Sequence, residues 1–144
     1  MKHLLLIAIL ITSLTSCTTD QDELTTYDYS EKWELFNATS NQTSETTSTN
    51  GLNYQEFYYL DNDSTFFKRR ISNNITKNIY GTYNVMTVDN NKYFVFKYNE
   101  ANNLIGNCSN NLNEVLRFTD ENKLINIWNS CDGPTLEYRK VYNP

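Results

Sequence analysis

Residues 114–128, EVLRFTDENKLINIW, decide the fold of this chain. Apolar side chains recur in the two runs 114–119 and 123–128, and the turn Asp120-Glu121-Asn122 separates them. Aromatic and β-branched residues on either side of a short Asp- and Asn-containing break are typical of two antiparallel strands joined by a tight turn. The segment therefore predicts a β-hairpin near the C-terminal end of the chain.

Runs of the same kind predict six further strands. They lie at residues 32–36, 54–60, 65–72, 79–88, 92–98 and 135–142, and a Ser-, Thr- and Asn-rich loop fills 39–51. Eight short strands joined mainly by tight turns favour an all-β fold, an eight-stranded antiparallel up-and-down barrel, because closure leaves no exposed sheet edge. A β-sandwich is the alternative.

The N-terminus has the layout of an export signal. Lys2 precedes an apolar run, residues 4–11, which is shorter than the roughly 20 residues needed to span a bilayer. The following Leu14-Thr15-Ser16-Cys17 resembles the lipobox of bacterial lipoproteins. The resemblance implies a signal peptide at 1–16 and a mature chain anchored by a diacylglyceryl thioether and an N-acyl group on Cys17. A flexible tether at 17–30 and a barrel domain at 31–144 complete the predicted organisation.

Acidic residues follow the cysteine in the segment Thr18-Thr19-Asp20-Gln21-Asp22-Glu23. This segment resembles the export signals that carry lipoproteins of the Bacteroidetes to the outer face of the outer membrane. We therefore expect the chain to be lipid-anchored in the outer membrane and exposed at the cell surface. A periplasm-facing position is the alternative.

The charge of the chain argues against nucleic acid as a partner. The full sequence has a formal net charge of −5, which becomes −6 once Lys2 leaves with the signal peptide. Affinity for nucleic acid comes largely from Lys and Arg, and the one basic cluster, Lys68-Arg69-Arg70, is predicted to lie in a solvated strand with its side chains on alternating faces. The 144 residues less 16 leave 128, which suits one domain, expected as a monomer.

Histidine and cysteine limit the chemistry that the mature chain can perform. The only histidine, His3, lies in the predicted signal peptide, so Ser-His-Asp catalysis, Cys-His catalysis and the usual zinc sites are excluded. No metal and no cofactor are expected. With Cys17 assigned to lipid, Cys108 and Cys131 remain in an oxidising compartment and are predicted to form a disulfide. Free buried thiols and a metal-binding pair are the alternatives.

Several short motifs resemble the lipocalin-like domains of Bacteroidetes lipoproteins. They are Trp33-Glu34-Leu35, Phe57 with Asp63-Ser64-Thr65-Phe66, Gly81-Thr82-Tyr83, Glu114-Val115-Leu116-Arg117-Phe118 and Leu136-Glu137-Tyr138-Arg139-Lys140. The resemblance covers about residues 30–144 and implies a barrel fold. It implies no particular activity, because one fold hosts many functions.

Strand alternation predicts which side chains point into the barrel. They are Phe94, Phe96, Tyr98, Leu116, Phe118, Leu124, Trp128, Leu136 and Tyr138. The candidate ligand-binding residues among them are Phe94, Phe96, Tyr98, Phe118, Trp128 and Tyr138. An eight-stranded barrel is either filled by its own side chains or holds one small ligand, so simple core filling is the alternative role of these residues.

Tyrosine is abundant in the predicted strands, at Tyr54, Tyr58, Tyr59, Tyr80, Tyr83, Tyr93 and Tyr98. An exposed tyrosine suits sugar stacking or protein contact, because its ring has an apolar face and its hydroxyl can donate or accept. The alternative is that these rings only cover half-buried strands.

Carboxylates give little support to catalysis. Glu56, Glu114 and Glu137 are expected at the surface, and no spacing places two of them around one site. No catalytic residue is therefore predicted, and the chain is not expected to be an enzyme. Asp61-Asn62-Asp63 is expected to be a turn rather than a calcium site. Asp63-Ser64-Thr65 resembles the short O-glycosylation acceptor motif of the Bacteroidetes.

Two functions are compatible with these features. The first is a binding module that holds a small apolar or amphipathic molecule in the barrel. The second is a structural or interaction module with a filled barrel, which contacts another envelope component or an extracellular glycan through its surface. A filled barrel would favour the second function over the first.

Overall fold

The computed structural model describes residues 29–39, 46–48 and 51–142. The predicted signal peptide, the lipidation site Cys17 and the tether up to residue 28 lie outside the described residues, and those assignments stay predictions. No helix in the described ranges has the length and apolar character needed to cross a membrane.

Nine strands account for most of the described chain. They are β1 Glu31–Thr39, β2 Thr46–Ser48, β3 Tyr54–Leu60, β4 Thr65–Ser72, β5 Ile75–Val88, β6 Asn91–Tyr98, β7 Asn113–Asp120, β8 Lys123–Asn126 and β9 Thr135–Val141. A short 3-10 helix, Trp128–Cys131, lies between β8 and β9.

The sheet closes on itself to form a barrel. Strands β3 to β9 pair with their sequence neighbours, all antiparallel, and β1 pairs with both β3 and β9. The short β2 adds to β1 at residues 37–39, beyond the part of β1 that pairs with β3. The predicted eight-stranded antiparallel up-and-down barrel is thus confirmed, with β2 as an additional strand.

Turn geometry explains where the predicted strand bounds hold and where they were wrong. Strands β3 and β4 have the predicted bounds. Strand β5 begins four residues before the predicted position, because Asn73 and Asn74 have φ values of 50° and 61°. Two consecutive residues with positive φ make a two-residue hairpin turn, so pairing resumes at once between Ser72 and Ile75.

The barrel interior is filled by apolar and aromatic side chains. Seven of the nine residues predicted to point inward are buried: Phe94, Phe96, Tyr98, Leu116, Leu124, Leu136 and Tyr138. The ring of Tyr58 on β3 stacks on Phe96 with a centroid separation of 4.8 Å, and Phe66 on β4 lies 4.7 Å from Phe96. These contacts join opposite parts of the barrel wall through its centre.

The connection between β6 and β7, residues 99–112, folds into one end of the barrel. Leu104 is buried and packs in the core cluster. The Sγ atoms of Cys108 and Cys131 lie at disulfide distance, as predicted, with their Cα atoms 5.7 Å apart. The bridge ties this connection to the end of the 3-10 helix.

Candidate functional site

Four charged side chains, Lys68, Glu56, Glu114 and Arg70, form what we call the interior charge cluster. Lys68 Nζ lies 3.2 Å from Glu56 Oε1 and 3.1 Å from Glu114 Oε1, and it donates to the carbonyl oxygen of Leu104 at 2.7 Å. Lys68, Glu56 and Glu114 are each at most 1% exposed. The prediction that both glutamates are surface carboxylates, and that Lys68 lies on a solvated strand, is therefore wrong.

Each carboxylate oxygen of the cluster accepts at least one hydrogen bond. Glu56 accepts from the hydroxyl of Tyr138 at 2.7 Å and from Arg70 Nε at 2.6 Å. Glu114 accepts from the hydroxyl of Tyr98, from Lys68 and from the backbone N–H of Gly106 at 3.1 Å. With two cations and two carboxylates, the cluster is neutral overall. Hydrogen bonds and opposite charges of this kind offset the free-energy cost of burying a charged side chain.

The surroundings of the cluster shift its ionisation equilibria. Burial raises the pKa of Glu56, but the charges of Lys68 and Arg70, together with the hydrogen bonds from Tyr138 and Arg70, outweigh burial and hold that pKa below its ordinary value. Burial, reinforced by the charges of Glu56 and Glu114, raises the pKa of Tyr98 and Tyr138 well above 10. At neutral pH both phenols therefore keep their protons and donate them to the carboxylates.

The Lys68 ammonium and all the carboxylate oxygens of Glu56 and Glu114 have partners within the protein. Glu137, the third carboxylate considered in the sequence, lies apart on β9 and accepts from Asn37 Nδ2 at 3.0 Å. In the described ranges, no three His, Cys, Asp or Glu side chains are grouped so that they could hold a metal ion.

The hydroxyl oxygen of Tyr58 differs from the other polar atoms of the interior. The hydroxyl of Tyr58 is buried beside Tyr98 without a partner in hydrogen-bond geometry.

The candidate ligand-binding residues fall into two groups. Phe94, Phe96, Tyr98 and Tyr138 lie in the packed interior, and Phe118 borders it, with its ring 4.7 Å from Phe94. Their role in ligand binding stays a prediction.

Trp128 is separate from that group. The prediction that it continues strand β8 is wrong, because β8 ends at Asn126 and Trp128 begins the 3-10 helix. Gly106 and Gly133 lie against its indole, and a Cβ atom at either position would come within 3.0 Å of the ring. The two glycines therefore make room for Trp128 outside the interior aromatic group.

A row of aromatic side chains crosses the outside of the barrel. Tyr59 on β3, Phe67 on β4 and Tyr80 on β5 are direct neighbours across the strands. Their rings are 4.4 Å apart between Tyr59 and Phe67, and 5.9 Å apart between Phe67 and Tyr80. The ring of Tyr29 contacts that of Tyr59 edge-on, and the ring of Phe57, also on β3, lies beside that of Tyr59. These five residues form what we call the outer aromatic face.

Two cations lie on the outer aromatic face. Lys32 Nζ is 4.7 Å from the ring centre of Phe57 and 5.3 Å from that of Tyr59. The guanidinium of Arg69 is 5.4 Å from the ring centre of Tyr59 and 5.3 Å from that of Phe67. Arg69 Nε also donates to Asn78 Oδ1 at 3.0 Å. The face thus combines π surface with positive charge, in a chain that is acidic overall.

A half-open cleft of about 340 Å³, which we call the rim cleft, adjoins this face. It is lined by Tyr29, Tyr59, Leu60, Asp61, Thr65, Phe66, Phe67, Tyr80, Gly81 and Asn99. Its volume falls in the range of roughly 300–1,000 Å³ that is typical of small-molecule sites. Aromatic rings and the polar groups of Asp61, Thr65 and Asn99 meet there.

The predicted tyrosines are divided between the interior and the outside. Tyr58 and Tyr98 are interior residues, whereas Tyr59 and Tyr80 belong to the outer aromatic face. The alternation of side chains along a strand could have separated Tyr58 from Tyr59, since adjacent residues point to opposite faces. The row itself depends on the register of three strands, which a single strand's sequence does not contain.

No protein-family model, no curated protein and no solved structure matches this chain. The functional interpretation therefore depends on the chemistry of the interior charge cluster, the outer aromatic face and the rim cleft.

Proposed function

We propose that this protein is an envelope lipoprotein with a lipocalin-like barrel, anchored through lipid on Cys17 in the outer membrane and exposed at the cell surface. A position on the periplasmic face is the alternative. In this proposal the barrel is an interaction module rather than an enzyme. It contacts another envelope component or an extracellular glycan through the outer aromatic face.

The observation that carries the proposal is the filled interior of the barrel. The rings of Tyr58, Phe66 and Phe96 pack against one another at its centre. Beside them, Lys68 joins two buried carboxylates whose oxygens are all hydrogen-bonded. A ligand in this space would have to displace well-packed side chains or break charge-assisted hydrogen bonds, and both are costly.

The outer aromatic face differs from the filled interior, because part of it is accessible to a partner. Tyr80 is 47% exposed and is the accessible ring of this face. Phe57, Tyr59 and Phe67 also point away from the barrel interior but are at most 9% exposed, so they form the packed base beside Tyr80. Tyrosine and arginine side chains are enriched at the energetic centres of protein interfaces. This combination supports the face as the place where the module meets its partner.

A small apolar or amphipathic ligand inside the barrel is the second candidate. The observation that favours it is the buried hydroxyl of Tyr58, which lies beside Tyr98 without full hydrogen-bond geometry and could meet the polar end of such a molecule. Native mass spectrometry of the full chain, purified in mild detergent from membranes of the source organism, separates the two candidates. The interaction module predicts no non-covalent adduct. A reproducible adduct lost on denaturation would favour the interior ligand.

A binding assay tests the proposed surface directly. Purified chain is sedimented with envelopes from cells that lack the protein, and Arg69→Glu is compared with Arg117→Glu. Both substitutions reverse an arginine charge on the barrel, but Arg117 is an exposed residue on β7, a strand that pairs with β6 and β8 and not with β3, β4 or β5. We expect Arg69→Glu to lose co-sedimentation and Arg117→Glu to retain it. Equal binding by both variants would refute the outer aromatic face as the contact surface.

A further inference from the structure

The rim cleft has the chemistry of a sugar site. We infer that it binds one ring of a neutral glycan, an inference that rests on the proposed interaction through the outer aromatic face. The inference narrows the partner from an envelope component of any kind to a carbohydrate without charged groups.

The apolar side of the cleft suits the face of a sugar ring. Tyr80 is the most exposed aromatic residue in the cleft, and its backbone carbonyl accepts from the N–H of Asn99 at 3.0 Å, so the two residues are adjacent on the cleft wall. Tyr59 and Phe67 also line the cleft, but each is at most 9% exposed, so Tyr80 is the ring that a sugar would stack on. A sugar ring has C–H groups on its face, which pack on an aromatic ring while the hydroxyls at its edge remain available for hydrogen bonds.

The polar side of the cleft suits hydroxyl groups. Asp61 Oδ1 accepts from the backbone N–H of Asn62 at 2.8 Å, which fixes the carboxylate and leaves Oδ2 for another donor. The hydroxyl of Thr65 already donates to Asp63 Oδ1 at 2.6 Å. Asp61 and Asn99 are therefore the groups that would meet the ligand. A carboxylate accepts from hydroxyls and an amide both accepts and donates, which matches vicinal sugar hydroxyls.

Charges of both signs lie around the cleft, so an ionic ligand of either sign meets a repulsion as well as an attraction. Lys32 and Arg69 already lie over the rings of Tyr59 and its neighbours, so a quaternary ammonium or other cation would meet like charge at the aromatic faces. An acidic sugar would meet the carboxylate of Asp61 inside the cleft. A neutral ring avoids both repulsions and still uses the aromatic and hydrogen-bonding groups.

An oligosaccharide microarray that carries neutral and acidic glycans tests the inference. The full chain is purified, labelled and applied in detergent, and the dissociation constant of each bound glycan is then measured by titration. We expect binding to neutral glycans, weakened about tenfold or more by Tyr80→Ala and by Asp61→Asn, since an aromatic anchor or a charge-assisted hydrogen bond often contributes that much. Tyr142→Ala, which truncates an exposed tyrosine outside the cleft, is the control and should bind like wild type.

Three results would overturn the inference. They are binding to acidic glycans alone, binding to no glycan, and neutral-glycan binding that Tyr80→Ala leaves unchanged. None of them affects the proposed function, because the envelope assay compares Arg69→Glu with Arg117→Glu and responds to any partner of the face. If that assay shows no difference while the array result depends on Tyr80, the cleft is a sugar site but the module's envelope contact lies elsewhere.

Discussion

Replacing Lys68 with methionine should destabilise the barrel strongly. Lys68→Met keeps a flexible apolar side chain but removes the ammonium that lies 3.2 Å from Glu56 and 3.1 Å from Glu114. Glu56 retains Arg70 as a counter-charge, whereas Glu114 keeps only the neutral donors of Tyr98 and Gly106. An uncompensated carboxylate then stays buried. Breaking a buried ion pair in this way costs about 3–5 kcal/mol.

Urea unfolding, followed by the fluorescence of the buried Trp33, measures this cost. With a denaturant slope of about 2 kcal/mol/M, a loss of about 4 kcal/mol lowers the unfolding midpoint by roughly 2 M. The matched control is Lys97→Met, an exposed lysine on β6 that should change stability by less than about 0.5 kcal/mol.

A second variant identifies the origin of the loss. Lys68→Met combined with Glu114→Gln removes one cation and one anion together. The amide oxygen can still accept from the Gly106 N–H, and the amide NH2 can donate to the hydroxyl of Tyr98. We expect the double variant to regain about 2 kcal/mol relative to Lys68→Met, a coupling typical of residues in one network. The reasoning fails if Lys68→Met costs less than about 1 kcal/mol, or if the added Glu114→Gln brings no recovery.

Three further predictions concern ionisation, the disulfide and the anchor. The pKa values of Tyr98 and Tyr138 are raised on folding, so the stability they contribute is full below about pH 10 and is lost as the pH rises further. In an alkaline absorbance titration they should ionise only when the barrel unfolds, and ionisation in the folded state would contradict this. Cys131→Ser opens the bridge to Cys108, 23 residues away, and should cost about 3.5 kcal/mol in the chain-entropy model, measured by urea unfolding. An unchanged midpoint would show that the bridge does not stabilise the fold. Cys17→Ser should abolish metabolic labelling with palmitate and move the chain to the soluble fraction, whereas continued labelling would place the acyl group elsewhere.

The alternation of apolar and polar residues predicted most of the strands, because this alternation and the residue types of the turns can be read from short segments of the sequence. The hairpin of β3 and β4 has the bounds that its sequence indicates, and the inward set from Phe94 to Tyr138 is largely buried. The start of β5 was missed, because its first residues after the Asn73-Asn74 turn are mostly polar and exposed. A strand exposed to solvent needs no apolar residues, so its sequence lacks the alternation on which the strand prediction relied.

The interior charge cluster could not be found from residue type alone. Charged side chains are rarely buried unless paired, so the default placement of Glu56, Lys68 and Glu114 was the surface. Their positions carried the opposite signal, because Glu114 alternates in phase with Leu116, and Lys68 with Phe66. That signal becomes persuasive only when the fold brings Glu56 on β3 and Lys68 on the adjacent β4 together with Glu114 on β7, where opposite charges compensate one another.

The pairing of Lys68 with carboxylates on two other strands also bears on how the chain reaches this fold. Lys68 and Glu114 are 46 residues apart, so the contact forms only after distant segments have met. If β4 slipped by one residue against β3, Lys68 and Arg70 would both turn outward and only Arg69 would turn inward, so two buried carboxylates would share one cation instead of two. Misaligned barrels would therefore be less stable by several kcal/mol. We expect the cluster to select the correct strand alignment during folding, a choice that the apolar residues alone would specify less strictly.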